Sequence, residues 1–238
     1  MVFMSGLDAH APIAQSVRGT RLKIVPVWVQ VPLGVLVRRL KIMSTKHLLL
    51  PATLEGPWPH GVESIYFGMG CFWGAEKKFW QIPGVVSTAV GYMGGTTSDP
   101  TYPLVCTGTT GHTETVLVVF DPTRVSLYEL LKVFWENHDP TQGNRQGNDI
   151  GTQYRSAIFW TSAQQDTLSN LTKRAYESVL LSKGLGPVTT EIASATGKQF
   201  WYAEDYHQHY LIKNPNGYDC HAHTGIDLPD YDTVLELL

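Results

Sequence analysis

Short β-type runs alternate with segments of helical period along residues 63–213, and this alternation narrows the fold more than any other property of the chain. The clearest strand is 113–120 (TETVLVVF). Upstream, the glycine-bounded run 64–70 and the run 85–92, which ends in the Gly94-Gly95 turn, also read as strands. Between them, 71–81 places Phe72, Ala75, Phe79 and Ile82 on related turns of a helix that Pro83-Gly84 stops. Downstream, Ser126 and Glu129 have the spacing of a capping box opening a helix over 127–137. A strand follows at 154–160, and Ser162 with Gln165 suggests a second capping box for a helix reaching 182. A strand at 188–193 and a short helix at 204–213, closed by Asn214-Pro215, complete the regular elements. Two loops, 96–111 and 141–153, are long for a compact domain, and loops of that length are often functional. The mixture predicts an α+β fold, a two-layer α/β sandwich with a ferredoxin-like core, long loops and an irregular C-terminal tail. No GxGxxG stands between a strand and a helix, so a dinucleotide-binding fold is not expected.

With 238 residues, 43% of them hydrophobic, the chain can build one substantial core. Residues 46–238 are expected to form a single catalytic domain whose tail is 214–238. Residues 1–45 read as an extension. They hold an apolar run, Ile24 to Val37, which falls short of the roughly 20 residues a membrane span needs and is followed by Arg38 and Arg39. Met43 offers an alternative start, and an organelle presequence is the competing reading. Residues 1–46 carry seven Lys and Arg against Asp8 alone, so the net charge of -3 leaves the rest of the chain acidic. An acidic body is not a nucleic-acid footprint. No membrane association and no obligate oligomer are expected.

The three cysteines, Cys71, Cys106 and Cys220, are too few for a disulfide scaffold and too widely spaced for a CxxC motif. An odd count fits a reducing compartment, with the cytoplasm as the expected location. Cys71 stands out. It follows Gly68 and Gly70 at a strand-to-helix junction, where a helix N-terminus favours a thiolate. Phe72 and Trp73 come directly after it, and two aromatics on different sides of a helix can wall a small apolar pocket beside the sulfur. The bland alternative is a buried apolar cysteine. Cys106, in LVCTG, is expected to be buried.

The stretch GCFWGAEKKFWQIPGVVSTAVGYMGG resembles the active-site segment of the peptide-methionine (S)-S-oxide reductases, the A-type methionine sulfoxide reductases. The likeness continues in order through PTYPLVCTGTTGHTETVLVVFDP, FWENHDPTQGNRQGNDIGTQYRSAIFW and YAEDYHQHYLIKNPNGY. It implies a protein-repair enzyme that reduces methionine-(S)-sulfoxide, free or in proteins, without a cofactor. Cys71 would attack the sulfoxide sulfur. Glu114 would supply the acid, because partial burial near the start of an apolar strand raises a carboxyl pKa. Tyr102 and Tyr154 would donate hydrogen bonds to the oxygen. Phe72 and Trp73 would hold the S-methyl group, and Asp149 would help to order water and substrate. The sulfenic acid left on Cys71 would condense with a second thiol. Cys220, in a mobile polar tail, is the implied resolving cysteine, and a thioredoxin would reduce the resulting disulfide. A reading from another class is a zinc-binding module built on His207, His209, Cys220, His221 and His223, although their spacing fits no closed zinc motif.

Overall fold

The computed structural model describes residues 46–220 and 222–238. The readings made of 1–45 therefore lie outside the described residues. Among the described residues the strands are β1 Glu63–Met69, β2 Val85–Met93, β3 Thr113–Phe120, β4 Arg145–Gln146, β5 Asp149–Ile150, β6 Ser156–Trp160, β7 Glu191–Ser194 and β8 Trp201–Tyr202. The helices are α1 Phe72–Trp80, α2 Tyr102–Val105, α3 Leu127–Glu136, α4 Ala163–Ser182, α5 Tyr210–Lys213 and α6 Tyr231–Leu235.

Six strands make one sheet in the order β7-β6-β1-β3-β2-β8, and β4 with β5 forms a separate hairpin. Within the sheet, β1 runs antiparallel to β3 and β6, and β2 runs antiparallel to β3. The chain path β1-α1-β2-β3-α3-β6 through four central strands ordered β6-β1-β3-β2 is the expected ferredoxin-like core. β7 adds in parallel to β6 after the α4 crossover, the connection a parallel neighbour needs.

β3 is buried along its whole length, which is why it reads as a nearly continuous apolar run. Its side chains alternate between two cores. Val116, Val118 and Phe120 meet α1, α3 and α4 on one face, whereas Leu117 and Val119 meet Leu54, Phe159 and Phe200 on the other. Among the described residues no helix closes the second face. Residues 46–62 cover it, with Leu54 fully buried and Trp58 and Val62 packed beside it.

Ser126 and Glu129 form the expected capping box, each satisfying an amide of the other. The second box is only half made. Ser162 accepts the amide of Gln165, but the Gln165 side chain turns to Thr161 and Ser64, pinning α4 to the end of β1. The helix expected over 204–213 shrinks to the single turn α5. His209 interrupts it with a left-handed backbone (φ 54°, ψ 38°). Neither long loop is bare, since the first contains α2 and the second contains β4, β5 and a 3-10 turn at Thr152–Tyr154. The tail is likewise anchored rather than free: Tyr128 donates to the carbonyl of Pro229, Tyr176 donates to that of Ile226, and α6 buries Val234.

Leu54→Ala is expected to cost about 2–5 kcal/mol, the range for emptying a buried leucine site. Urea unfolding checks this, with a lowered midpoint at unchanged slope as the expected outcome.

Candidate active site

β1 delivers the chain into α1 through Gly70 and Cys71. Gly70 has φ +87°, and a β-carbon there would lie 2.5 Å from the side chain of Gln146, so the turn admits only glycine. Cys71 then occupies the N-cap, buried, with its side chain making no capping bond. The first amide of α1, that of Phe72, donates to Glu114 Oε2 on the neighbouring β3 at 3.0 Å.

At this thiol, burial works against the helix N-terminus. Burial pushes the Cys71 thiol well above its usual range and the Glu114 carboxyl adds to it, outweighing the amide of Trp73, which pulls the other way. Asp149 and Cys220 push it further up. Glu114 is itself pushed up to about 8, first by burial, against the Phe72 amide, with Asp149 adding to the rise. Since Oε2 accepts the amide, the proton of the neutral acid sits on Oε1.

Phe72 and Trp73 form an aromatic wall with further rings behind it. Phe72 is fully buried against Tyr92 and His207, with ring centroids 5.8 and 5.1 Å away. Trp73 stacks on Tyr210 at 3.8 Å and 14°, and its indole N–H donates to His207 Nδ1 at 3.0 Å. Tyr102 opens α2, and Tyr154 ends the 3-10 turn. Both hydroxyls are pushed up by burial. Cys106 and Glu114 add to this at Tyr102, and Glu114 and Asp149 add to it at Tyr154, so both remain proton donors.

Two further residues hold these groups together: Glu204, which sequence reasoning missed, and His207, which it placed only in the zinc-binding reading. Glu204 accepts the Tyr102 amide on one oxygen and the Tyr92 hydroxyl on the other, both at 2.9 Å. His207 accepts from Trp73. The only signal for either was the block YAEDYHQHY, where an assumed continuous helix hid that the two face one cluster.

The tail supplies the other side. Tyr218 donates to both oxygens of Asp149 at 3.2 and 3.3 Å, and Cys220 Sγ lies 3.7 Å from the carbonyl of Gln146. Lys77 pairs with Asp219 at 2.9 Å. Gly74 lets the tail this close, because a β-carbon there would stand 2.5 Å from Asp219 Oδ1 and 3.3 Å from the carbonyl of Cys220. Cys220 is thus near enough to perturb the Cys71 thiol. Cys106 is exposed at the end of α2, contrary to expectation, because that short helix stands at the surface. Its surroundings are Tyr102, Glu114 and Glu204. All three cysteines are free thiols.

The zinc reading is not supported. His207 faces Trp73, the amide of His209 faces Glu76, and Cys220 faces Gln146, so these residues do not converge. His221 lies outside the described residues.

Comparison with known proteins agrees with this geometry. A family model described as peptide methionine sulfoxide reductase matches residues 63–233. The peptide methionine sulfoxide reductase MsrA of Brucella ovis is 58% identical over 186 residues, covering 78% of this chain and 84% of the relative. That of Brucella anthropi is 57% identical over the same shares. Among solved structures, methionine sulfoxide reductase A of Corynebacterium diphtheriae matches with a TM-score of 0.69 at 49% identity, covering 77% of this chain and 89% of that one. Mxr1 of Saccharomyces cerevisiae in its reduced form matches with a TM-score of 0.61 at 36% identity, covering 73% and 95%.

The raised Glu114 pKa has a signed consequence. Between the ordinary carboxylate range and about 8 the folded state binds a proton that the unfolded state lacks. The Glu114 contribution to stability is therefore lost as pH rises through that window. Glu114→Gln is expected to flatten the fall, and urea midpoints of the two proteins between pH 5 and pH 9 check it.

Proposed function

The chain belongs to the peptide methionine sulfoxide reductase family, and from that premise we propose that Cys71 is the nucleophile that takes the oxygen from methionine-(S)-sulfoxide, free or within a protein. The observation that carries this reading is the neutral, buried Glu114 tied to the first amide beyond Cys71. A sulfoxide oxygen leaves only if it gains protons, and a carboxyl that keeps its proton at neutral pH is suited to supply one.

The substrate methyl group rests against Phe72 and Trp73. Its oxygen accepts from Glu114 Oε1 and from the hydroxyls of Tyr102 and Tyr154. Asp149, held by Tyr218, orders water and substrate at the opposite edge. With methyl and oxygen both placed, one epimer presents its sulfur to Cys71 and the other does not. As the Cys71 sulfur attacks the substrate sulfur, an S–S bond forms and the oxygen, protonated by Glu114 and by the thiol proton passed through it, leaves as water. A water then attacks the Cys71 sulfur, the S–S bond breaks, the thioether leaves and Glu114 regains its proton. The products are the thioether and a sulfenic acid, and no other electron donor is needed for this step.

The Cys220 thiol then attacks the sulfenic sulfur, an S–S bond forms and water leaves. A thioredoxin-type dithiol restores both thiols by exchange. Cys220 is favoured over Cys106 because the tail lies against α1 and Cys220 perturbs the Cys71 thiol. Residues 46–238 act as one catalytic domain. Among the described residues no helix is long and apolar enough to cross a membrane. Three free thiols suit a reducing location, and the cytoplasm fits that reading.

Incubation with each epimer of a methionine sulfoxide derivative and dithiothreitol is the direct test. Reduction of the S epimer is expected, and reduction of neither, or of the R epimer alone, would sink the assignment. Glu114→Gln should slow single-turnover reduction by roughly 10²–10⁴-fold, the usual contribution of a positioned acid. The wild-type rate should fall as pH rises above about 8, where Glu114 loses its proton. Cys220→Ser should complete one stoichiometric reduction and then fail to turn over with thioredoxin. Continued turnover would transfer the resolving role to Cys106.

A further inference from the structure

Residues 46–62 precede the segment that the family model matches, yet they reach the back of the nucleophile's helix. His47 is buried. Its Nδ1 accepts the amides of Leu49 at 3.1 Å and Leu50 at 2.9 Å, which places the ring proton on Nε2. Nε2–H therefore donates to Thr88 Oγ1 on β2, 2.9 Å away. The Thr88 hydroxyl donates in turn to Glu76 Oε1 on α1 at 3.0 Å. The other oxygen of Glu76 accepts the backbone amide of His209 at 2.9 Å. The four residues thus form one continuous hydrogen-bonded chain from the 47–50 turn to the 207–210 strap.

The two ends of that chain matter to the pocket. Glu76 is fully buried, five residues beyond Cys71 on the same helix. His209 stands between His207, which accepts the Trp73 indole N–H, and Tyr210, which stacks on Trp73. A residue with a β-carbon keeps a left-handed backbone only when its surroundings over-determine it. The bond from the His209 amide to Glu76 is such a constraint.

We propose that His47 is a positioning residue of the reductase. Through Thr88 and Glu76 it fixes α1 against the 207–210 strap and so sets the Trp73 wall of the substrate pocket. This rests on the reading of Trp73 as a pocket wall, and His47 itself touches no substrate. A metal at the same place is the competing idea, since ligand atoms of His47, Glu76 and His209 lie within 4.8 Å of one another. It fails on His47. The Nδ1 lone pair is committed to two amides and Nε2 carries a proton directed at Thr88, so neither nitrogen is open to a cation.

Three full-length variants separate the relay from the local turn. His47→Asn can still accept the Leu49 and Leu50 amides but cannot reach Thr88. His47→Gln reaches Thr88 with an amide N–H. Thr88→Val keeps the volume and removes the hydroxyl. In single turnovers with the S epimer, His47→Asn and Thr88→Val should raise the half-saturating concentration roughly tenfold, as expected for a lost buried hydrogen bond, and change the maximal rate far less. His47→Gln should restore it to near wild type. The near-ultraviolet circular dichroism band of Trp73, taken as the difference from Trp73→Phe, should weaken in the first two variants and persist in the third. Unchanged half-saturation and an unchanged band in Thr88→Val would overturn the proposal, as would stoichiometric zinc in wild type that His47→Asn loses. A wild-type protein that reduces neither epimer would overturn the functional reading instead, and the Trp73 band would then decide the positioning role alone.

Discussion

The hydrogen bond from the Phe72 amide to Glu114 is the contact on which the rest of the site depends. It joins the start of α1 to a central strand of the core, so Cys71 and Glu114 are placed by one bond between two rigid elements. It also commits one carboxyl oxygen to an amide, which leaves the other to carry the proton. The helix N-terminus is directed at this carboxyl through its first amide, and the Cys71 side chain makes no capping bond. Burial favours the neutral form of both the thiol and the acid, so a proton that one gives up can be delivered by the other. A resting thiolate next to an ionised Glu114 would place two negative charges in a desolvated space, an arrangement that burial penalises twice.

Local pattern carried most of the fold. The strand at 113–120, the capping box of Ser126 and Glu129, and the Pro83-Gly84 stop are each short-range chemistry, and each appears where the sequence puts it. What local pattern could not convey was competition from distant partners. Gln165 leaves its capping role because its side-chain amide accepts from the Thr161 backbone and donates to Ser64 on β1. The 204–213 helix is broken because the His209 amide is drawn to Glu76, a residue 133 positions away in sequence. The site residues named from family likeness are brought together, but the parts played by Glu204 and His207 could not be read for the same reason. Their roles depend on Tyr102, Tyr92 and Trp73, which only the folded sheet makes neighbours.

The polarity of Cys71 shows the limit most plainly. A strand-Gly-Cys-helix pattern locates the residue correctly, and the sign of the helix dipole is known from sequence. Its consequence for the thiol is not, because desolvation and the opposing carboxylates are set by β3 and by the β4-β5 hairpin, and here they prevail.

Residues 46–62 and the tail close the argument from opposite sides of α1. One approaches from behind, where His47 joins the relay to Glu76. The other approaches from the front, where Lys77 and the bare surface of Gly74 receive Asp219 and Cys220. A nine-residue helix in which both of the first two side chains wall a pocket has few positions left for anchoring. Glu76 and Lys77, adjacent in sequence, point to different sides and supply those two anchors. The rigid anchor is buried and held by hydrogen bonds from Thr88 and the His209 amide. The exposed one is a surface ion pair, which contributes little stability. That asymmetry suits the chemistry, because the back of the helix must hold still during attack on the sulfoxide while the front must release Cys220 to reach the oxidised sulfur.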